Sequence, residues 1–189
     1  MSRSLDIVSP GWGGSRLEVV DPSTSAVLYK YETKGFLKKH IEITRTSEKP
    51  SGQDLLVGKI TFPSWSSGIN IDMGNEQVTL KRPKMFSSSY TFASRTLSGK
   101  WKHPSSLSSR IELITTAGDV VAKFGHASWS FSKKGTLEVF GNPSQQELDM
   151  VMITAFTMIA VHRRNSNGAA AGASAGGAAA GAGGGGGGC

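Results

Sequence analysis

Ser144-Gln145-Gln146-Glu147-Leu148-Asp149 leads into Met150-Val151-Met152-Ile153-Thr154-Ala155-Phe156-Thr157-Met158-Ile159-Ala160-Val161, and His162-Arg163-Arg164 closes the run. Its start has the form of a capping box, with Ser144 at the N-cap and Glu147 three residues on. Glu147 and Asp149 lie in the first turns and His162, Arg163 and Arg164 in the last, so both ends complement the helix dipole. Asn165-Ser166-Asn167-Gly168 is expected to stop the helix, giving a span of 144–164.

At about 100° per residue, the side chains from Met150 to Val161 cover every face of this helix. A helix apolar all round is buried in protein or immersed in lipid. Spanning a bilayer takes about 20 residues. The apolar stretch is 12 residues long and contains two Thr. It is therefore expected to be a buried core helix rather than a transmembrane span.

Such a helix needs walls on all sides, and the preceding sequence supplies candidates. From Arg16 to Phe140, alternating or β-branched runs recur at short spacing and are broken by Gly, Pro, Asn or Ser. That rhythm indicates an antiparallel all-β architecture rather than βαβ units. About twelve strands are expected: 16–20, 26–33, 40–44, 55–62, 68–72, 77–81, 89–93, 100–103, 110–115, 120–124, 128–131 and 136–140. Ala117-Gly118-Asp119, Lys133-Lys134-Gly135 and Met73-Gly74-Asn75 read as turns between them.

The expected fold class is thus mainly β plus one helix. It is a closed antiparallel barrel of about twelve strands around a central apolar C-terminal helix, and closure would remove the sheet edges. Met150, Met152 and Met158 would fill an irregular interior with flexible side chains.

On either side of this domain, 12–167, the sequence changes character. Residues 1–11 hold no long apolar run and are expected to form a flexible N-terminus without a secretory signal. Residues 168–189 comprise 11 Gly, 9 Ala, one Ser and one Cys. Such a stretch has no large side chain to bury against its ordering entropy, and a disordered tail is expected.

The body resembles a known fold family, the tubby C-terminal-like barrels, which include tubby proteins, phospholipid scramblases and plant LURP-one-related proteins. More closely it resembles a fungal tubby-like domain family of unknown function. The resemblance covers about residues 12–165. It is carried by Tyr29-Lys30-Tyr31-Glu32-Thr33, Val57-Gly58-Lys59-Ile60, Gly99-Lys100-Trp101-Lys102, and the Glu147-Leu148-Asp149 entry to a helix ending His162-Arg163-Arg164. It implies a twelve-stranded barrel threaded by its last helix. Tubby proteins bind phosphoinositides through basic side chains, so the resemblance also implies a headgroup-binding surface. Scramblases carry a cysteine-rich acylated segment, and the sole cysteine here is Cys189; scramblase activity is not implied.

No reaction is legible in the residues. His40, His103, His126 and His162 have no metal-ligand spacing and no cysteine beside them. Asp72-Met73-Gly74-Asn75-Glu76 lacks the ligand ladder of a calcium loop. No serine sits in a nucleophile elbow, and Gly11-Trp12-Gly13-Gly14 has no phosphate-binding lysine. No catalytic residue, metal or cofactor is assigned. Cys189 has no residues after it and so forms no prenylation box.

Charge carries the remaining signal. Lys plus Arg number 21 against 14 Asp plus Glu, a net charge of +7, which favours anionic partners. Lys81, Arg82 and Lys84 form the nearest basic cluster, joined as candidate anion- or phospholipid-binding residues by Lys100, Lys102, Lys133 and Lys134. Strand alternation places Lys100 and Lys102 on the face opposite Trp101. Lys38-Lys39-His40 is a further short basic run. Solvated charge on unrelated faces is the competing reading.

The expected function is a non-enzymatic module that binds a phosphoinositide or other anionic lipid surface, or a protein partner. A nucleic-acid-associated role is the alternative, disfavoured because the one clear helix is not free to enter a groove. The expected location is cytoplasmic or nuclear, with peripheral membrane contact.

Overall fold

The computed structural model describes residues 2–11, 15–35, 40–47, 52–63, 68–74, 76–84, 87–104, 108, 110–126 and 133–175, the last with side chains to 165. Its strands are β1 (Ser2–Val8), β2 (Arg16–Val20), β3 (Val27–Lys34), β4 (His40–Arg45), β5 (Leu55–Thr61) and β6 (Gly68–Asp72). They continue as β7 (Gln77–Lys81), β8 (Tyr90–Phe92), β9 (Gly99–Lys102), β10 (Arg110–Thr115), β11 (Val120–His126) and β12 (Lys133–Phe140), and one helix follows, α1 (Gln145–Ala175). Each strand pairs with its sequence neighbours, and β1 pairs with β12 to close the barrel.

Alternation builds the wall. Leu17 and Val19, Tyr29 and Tyr31, Ile41 and Ile43, and Leu137 and Val139 all point inward and are buried. Between them Lys30, Glu42, Lys59, Glu112 and Lys123 stand outward. A wall charged on its outer face is the reverse of a lipid-facing barrel, whose outside is apolar.

The helix fills the interior. Met150 to Val161 are buried at every position, with Ile153 fully buried and Phe156 at 1% exposure. Phe156 meets the Tyr31 ring at 5.4 Å between centroids. The two polar residues are satisfied within the helix, Thr154 Oγ1 donating to the Met150 carbonyl at 2.8 Å and Thr157 Oγ1 to that of Ile153 at 2.7 Å. Among the described residues, no helix is long and apolar enough to cross a membrane.

The entry is pinned as its sequence signals require. The Ser144 amide and hydroxyl donate to Glu147 Oε2 at 2.7 and 2.8 Å, and the Glu147 amide donates to Ser144 Oγ at 3.3 Å. One turn on, the Asp149 carboxylate accepts from Tyr29 Oη at 2.6 Å and from Arg45 at 2.8 Å. Gln145 Nε2 donates to both Tyr29 Oη and Asp149. The first turn of α1 is thereby tied to β3 and β4.

Ser2–Val8, expected to be flexible, is strand β1: Leu5 and Ile7 are buried, and the whole strand pairs with β12. Two inward residues among polar ones are too short a pattern to register until the partners are seen. Lys133-Lys134-Gly135, expected as a turn, opens β12. Gly135 is there for closeness, since a Cβ would strike the Gly125 carbonyl and the Phe124 ring.

The helix does not stop at Asn165–Gly168 but runs on to Ala175, taking in the first part of the expected tail. Ala169-Ala170-Ala171 has the highest helix propensity available, which offsets the stop residues before it. The strand expected at 128–131 and the tail from 176 onward lie outside the described residues.

Gly58 marks the closest approach of wall and helix. A Cβ there would lie 2.5 Å from the Asp72 carbonyl oxygen and 2.8 Å from Ile153 Cδ1. Gly58→Val is expected to destabilise the protein by roughly 1–3 kcal/mol, the cost of overpacking. Ile153→Asp, which buries an unpaired charge, is expected to abolish folding. Denaturant titration followed by circular dichroism checks both; a folded Ile153→Asp protein would show that the helix is not the core.

Candidate functional site

The strand ends divide the molecule into two rims. At the rim where α1 enters, the chain runs from Phe140 through the capped turn into Gln145. At the opposite rim, where Val161 to Asn165 emerge, lie the ends of β5 and β7 and the start of β8. A cleft of about 500 Å³ opens there. Phe62, Ile69 and Val161 give it apolar sides, and Arg82, Lys84 and Arg164 supply three positive charges. None of its lining residues is acidic.

Aromatic rings hold both guanidinium groups. Arg82 Nε donates to Tyr90 Oη at 2.6 Å, and its Cζ lies 5.0 Å from the centroid of that ring. Arg164 Cζ lies 4.5 Å from the Phe62 centroid. A guanidinium can meet phosphate or carboxylate bidentately through its planar fork. Lys84, exposed beside them, adds a point charge.

The seven candidate cations are not one cluster. Arg82 and Lys84 line the cleft. Lys81 and Lys100 lie outward on the wall beside it, in register through the shared partner Thr91. That register puts them two strand spacings apart, about 10 Å. Lys102 is opposite Glu112, which pairs with Lys123 at 3.2 Å. Lys133 and Lys134 belong to β12 on the far side, where Lys133 Nζ pairs with Asp6 at 2.7 Å. Among the described residues Lys81, Lys84, Lys100 and Lys102 enter no ion pair.

Elsewhere the wall neutralises itself. Glu42 accepts from Lys34 at 2.9 Å, with Lys59 and His40 also in contact, and Lys34 above all holds its carboxyl down at about 2. Arg3 pairs with Asp21, Arg16 with Glu32 and Lys30 with Asp54. A second cleft, of about 280 Å³ beside the helix entry, sets Glu76 and Asp149 against Arg95 and so has no single sign. Leu55 and Leu56, the exposed large hydrophobics, flank it. Among the described residues no group of His, Cys, Asp or Glu gathers to hold a metal.

Reading the sequence missed Arg164 as a site residue, taking it only as a complement to the helix dipole; nothing in the linear order joins it to Arg82. It also missed a histidine pair near the same rim. His126, ending β11, stacks on His162 of α1 with centroids 4.4 Å apart, and Phe124 meets its edge at 4.7 Å. Burial, then the charges of His162 and His103, push the His126 imidazole down to about 4.

The fold therefore holds His126 neutral while the unfolded chain protonates near 6.5. With the folded value the lower one, its contribution is fully present above pH 6.5 and is lost as the pH falls toward about 4. The melting temperature is expected to drop across that window, and His126→Phe is expected to flatten the drop. Thermal melts of both proteins over the range check this; identical slopes would remove His126 from the account.

Comparison with known proteins gives one family. No curated protein matches the chain, and no solved structure does. A family of unknown function, DUF6593, matches residues 15–165, which takes in β2 through the buried part of α1. The chain belongs to that family.

Proposed function

We propose that the protein is a non-enzymatic binding module for anionic phospholipid headgroups, and that the cleft at the emerging end of α1 receives the phosphate. One observation carries this reading: Arg82, Lys84 and Arg164 converge on a single cleft without a lining carboxylate to neutralise them. Lys81 and Lys100 extend the same positive field along the adjoining wall. Phosphate suits such a cleft, because guanidinium groups can meet its oxygens bidentately and an ammonium adds a point charge.

The resemblance to tubby-like barrels, whose tubby members bind phosphoinositides, supports the same assignment. Nucleic acid is the weaker reading. Met150 to Val161 are buried on every side, so this part of α1 has no face to lay in a groove.

Co-sedimentation with phosphatidylcholine vesicles, with and without a phosphoinositide, tests the proposal. Binding is expected only with the anionic lipid and is expected to weaken with salt. Arg82→Glu, Lys84→Glu and Arg164→Glu are each expected to cost at least roughly fivefold in affinity, from about 1 kcal/mol per basic residue at an anionic surface. Arg95→Glu, at the opposite rim, is expected to change little. No binding at low salt, or equal effects at both rims, would overturn the assignment.

A further inference from the structure

Arg82 and Tyr90 meet across two neighbouring strands. Lys81, the last residue of β7, is in register with Thr91 of β8. In an antiparallel ladder the residue after the one and the residue before the other are then cross-strand neighbours, and these are Arg82 and Tyr90. Tyr90 points inward and is buried, and β8 holds it in register with Trp101 of β9. It nevertheless lines the cleft, together with Arg82, Lys84 and Arg164.

The Tyr90 hydroxyl has one bond made and one still to make. It accepts from Arg82 Nε at 2.6 Å, which uses a lone pair and leaves its own proton to be donated. Among the described residues no acceptor takes that proton, and no carboxylate lines the cleft to do so. The same bond occupies Nε, so the donors left to Arg82 are its two Nη groups. These too have no acceptor among the described residues. A hydroxyl that accepts from a cation is polarised toward donation. We infer that Tyr90 is a binding residue for the anion, its O–H donating to a ligand oxygen beside the Nη groups of Arg82. The assignment rests on the reading of the cleft as a phosphate site. It goes beyond that reading by giving a neutral, buried donor a part in a site otherwise defined by charge.

Calorimetric titration of the full chain with soluble inositol trisphosphate tests the assignment. Tyr90→Phe keeps the ring beside Arg82 and removes only the hydroxyl. Affinity is expected to fall at least roughly tenfold, the loss of one hydrogen bond to a charged group, while the melting temperature of the free protein stays close to that of the natural chain. Tyr90→Phe in an Arg82→Ala background separates contact from positioning. A hydroxyl that touches the ligand still costs affinity when it is lost there, whereas one that only holds Arg82 in place costs nothing further.

Unchanged affinity of Tyr90→Phe, or no further loss in the Arg82→Ala background, would overturn the contact and leave the headgroup site standing without it. A fluorinated tyrosine incorporated at position 90 gives a second test that keeps the hydroxyl and the fold. Its O–H is the stronger donor and ionises at lower pH. Binding is therefore expected to tighten while that hydroxyl is protonated and to weaken as the pH rises through its ionisation. A pH profile identical to that of the natural protein would overturn the contact as well. Failure of the natural protein to bind either inositol trisphosphate or vesicles holding a phosphoinositide would remove both the headgroup site and the role of Tyr90.

Discussion

A helix with apolar side chains on every face cannot lie on the surface of anything in water; it must be surrounded. That requirement organises the whole molecule. A sheet presents one apolar face, so only a sheet curled into a closed wall covers Met150 to Val161 on all sides. Closure depends in turn on β1, whose pairing with β12 joins the first strand to the last. The helix brings little polarity inward, because Thr154 and Thr157 bond to its own carbonyls. Gly58 lets one wall strand approach it closely, and the bonds of Asp149 to Tyr29 and Arg45 set where it enters.

The buried stretch of α1 from Met150 to Val161 occupies the barrel interior, and the two clefts described lie at the rims. The wall is largely self-neutralised. Glu42, Glu32, Asp21, Asp54 and Glu112 each meet a cation on a neighbouring strand or loop. Where α1 emerges, Arg82, Lys84 and Arg164 share a cleft with no acid among its lining residues. The capped start of α1 carries Glu147 and Asp149, while Arg163 and Arg164 follow its buried part.

Strong local patterns were legible in advance. The interior strands from β2 to β11 announced themselves because each alternates inward and outward residues over several positions, and the capping box of α1 lay where Ser144 and Glu147 predicted it. Weak or context-borne signals were not. Ser2–Val8 supplies only two inward apolar residues, too few to distinguish from a polar tail. Lys133-Lys134-Gly135 carries turn-forming residues, yet Gly135 is needed for close packing against Phe124 inside a strand. Of the candidate cations, Arg82 and Lys84 proved to share a cleft, whereas Lys133 pairs with Asp6 on the neighbouring strand β1.

The class of fold follows from local pattern alone. Hydrophobic periodicity is a local property: the 12-residue apolar run of 150–161 and the alternation around it dictate a buried helix and half-buried strands wherever they sit. Which distant residues meet depends on the folded chain. Arg164 joins Arg82 because a helix of fixed rise threads a barrel of matching depth. His126 stacks on His162 for the same reason. The pairing of β1 with β12 spans nearly the entire domain, and it is a long-range register that local propensity cannot encode.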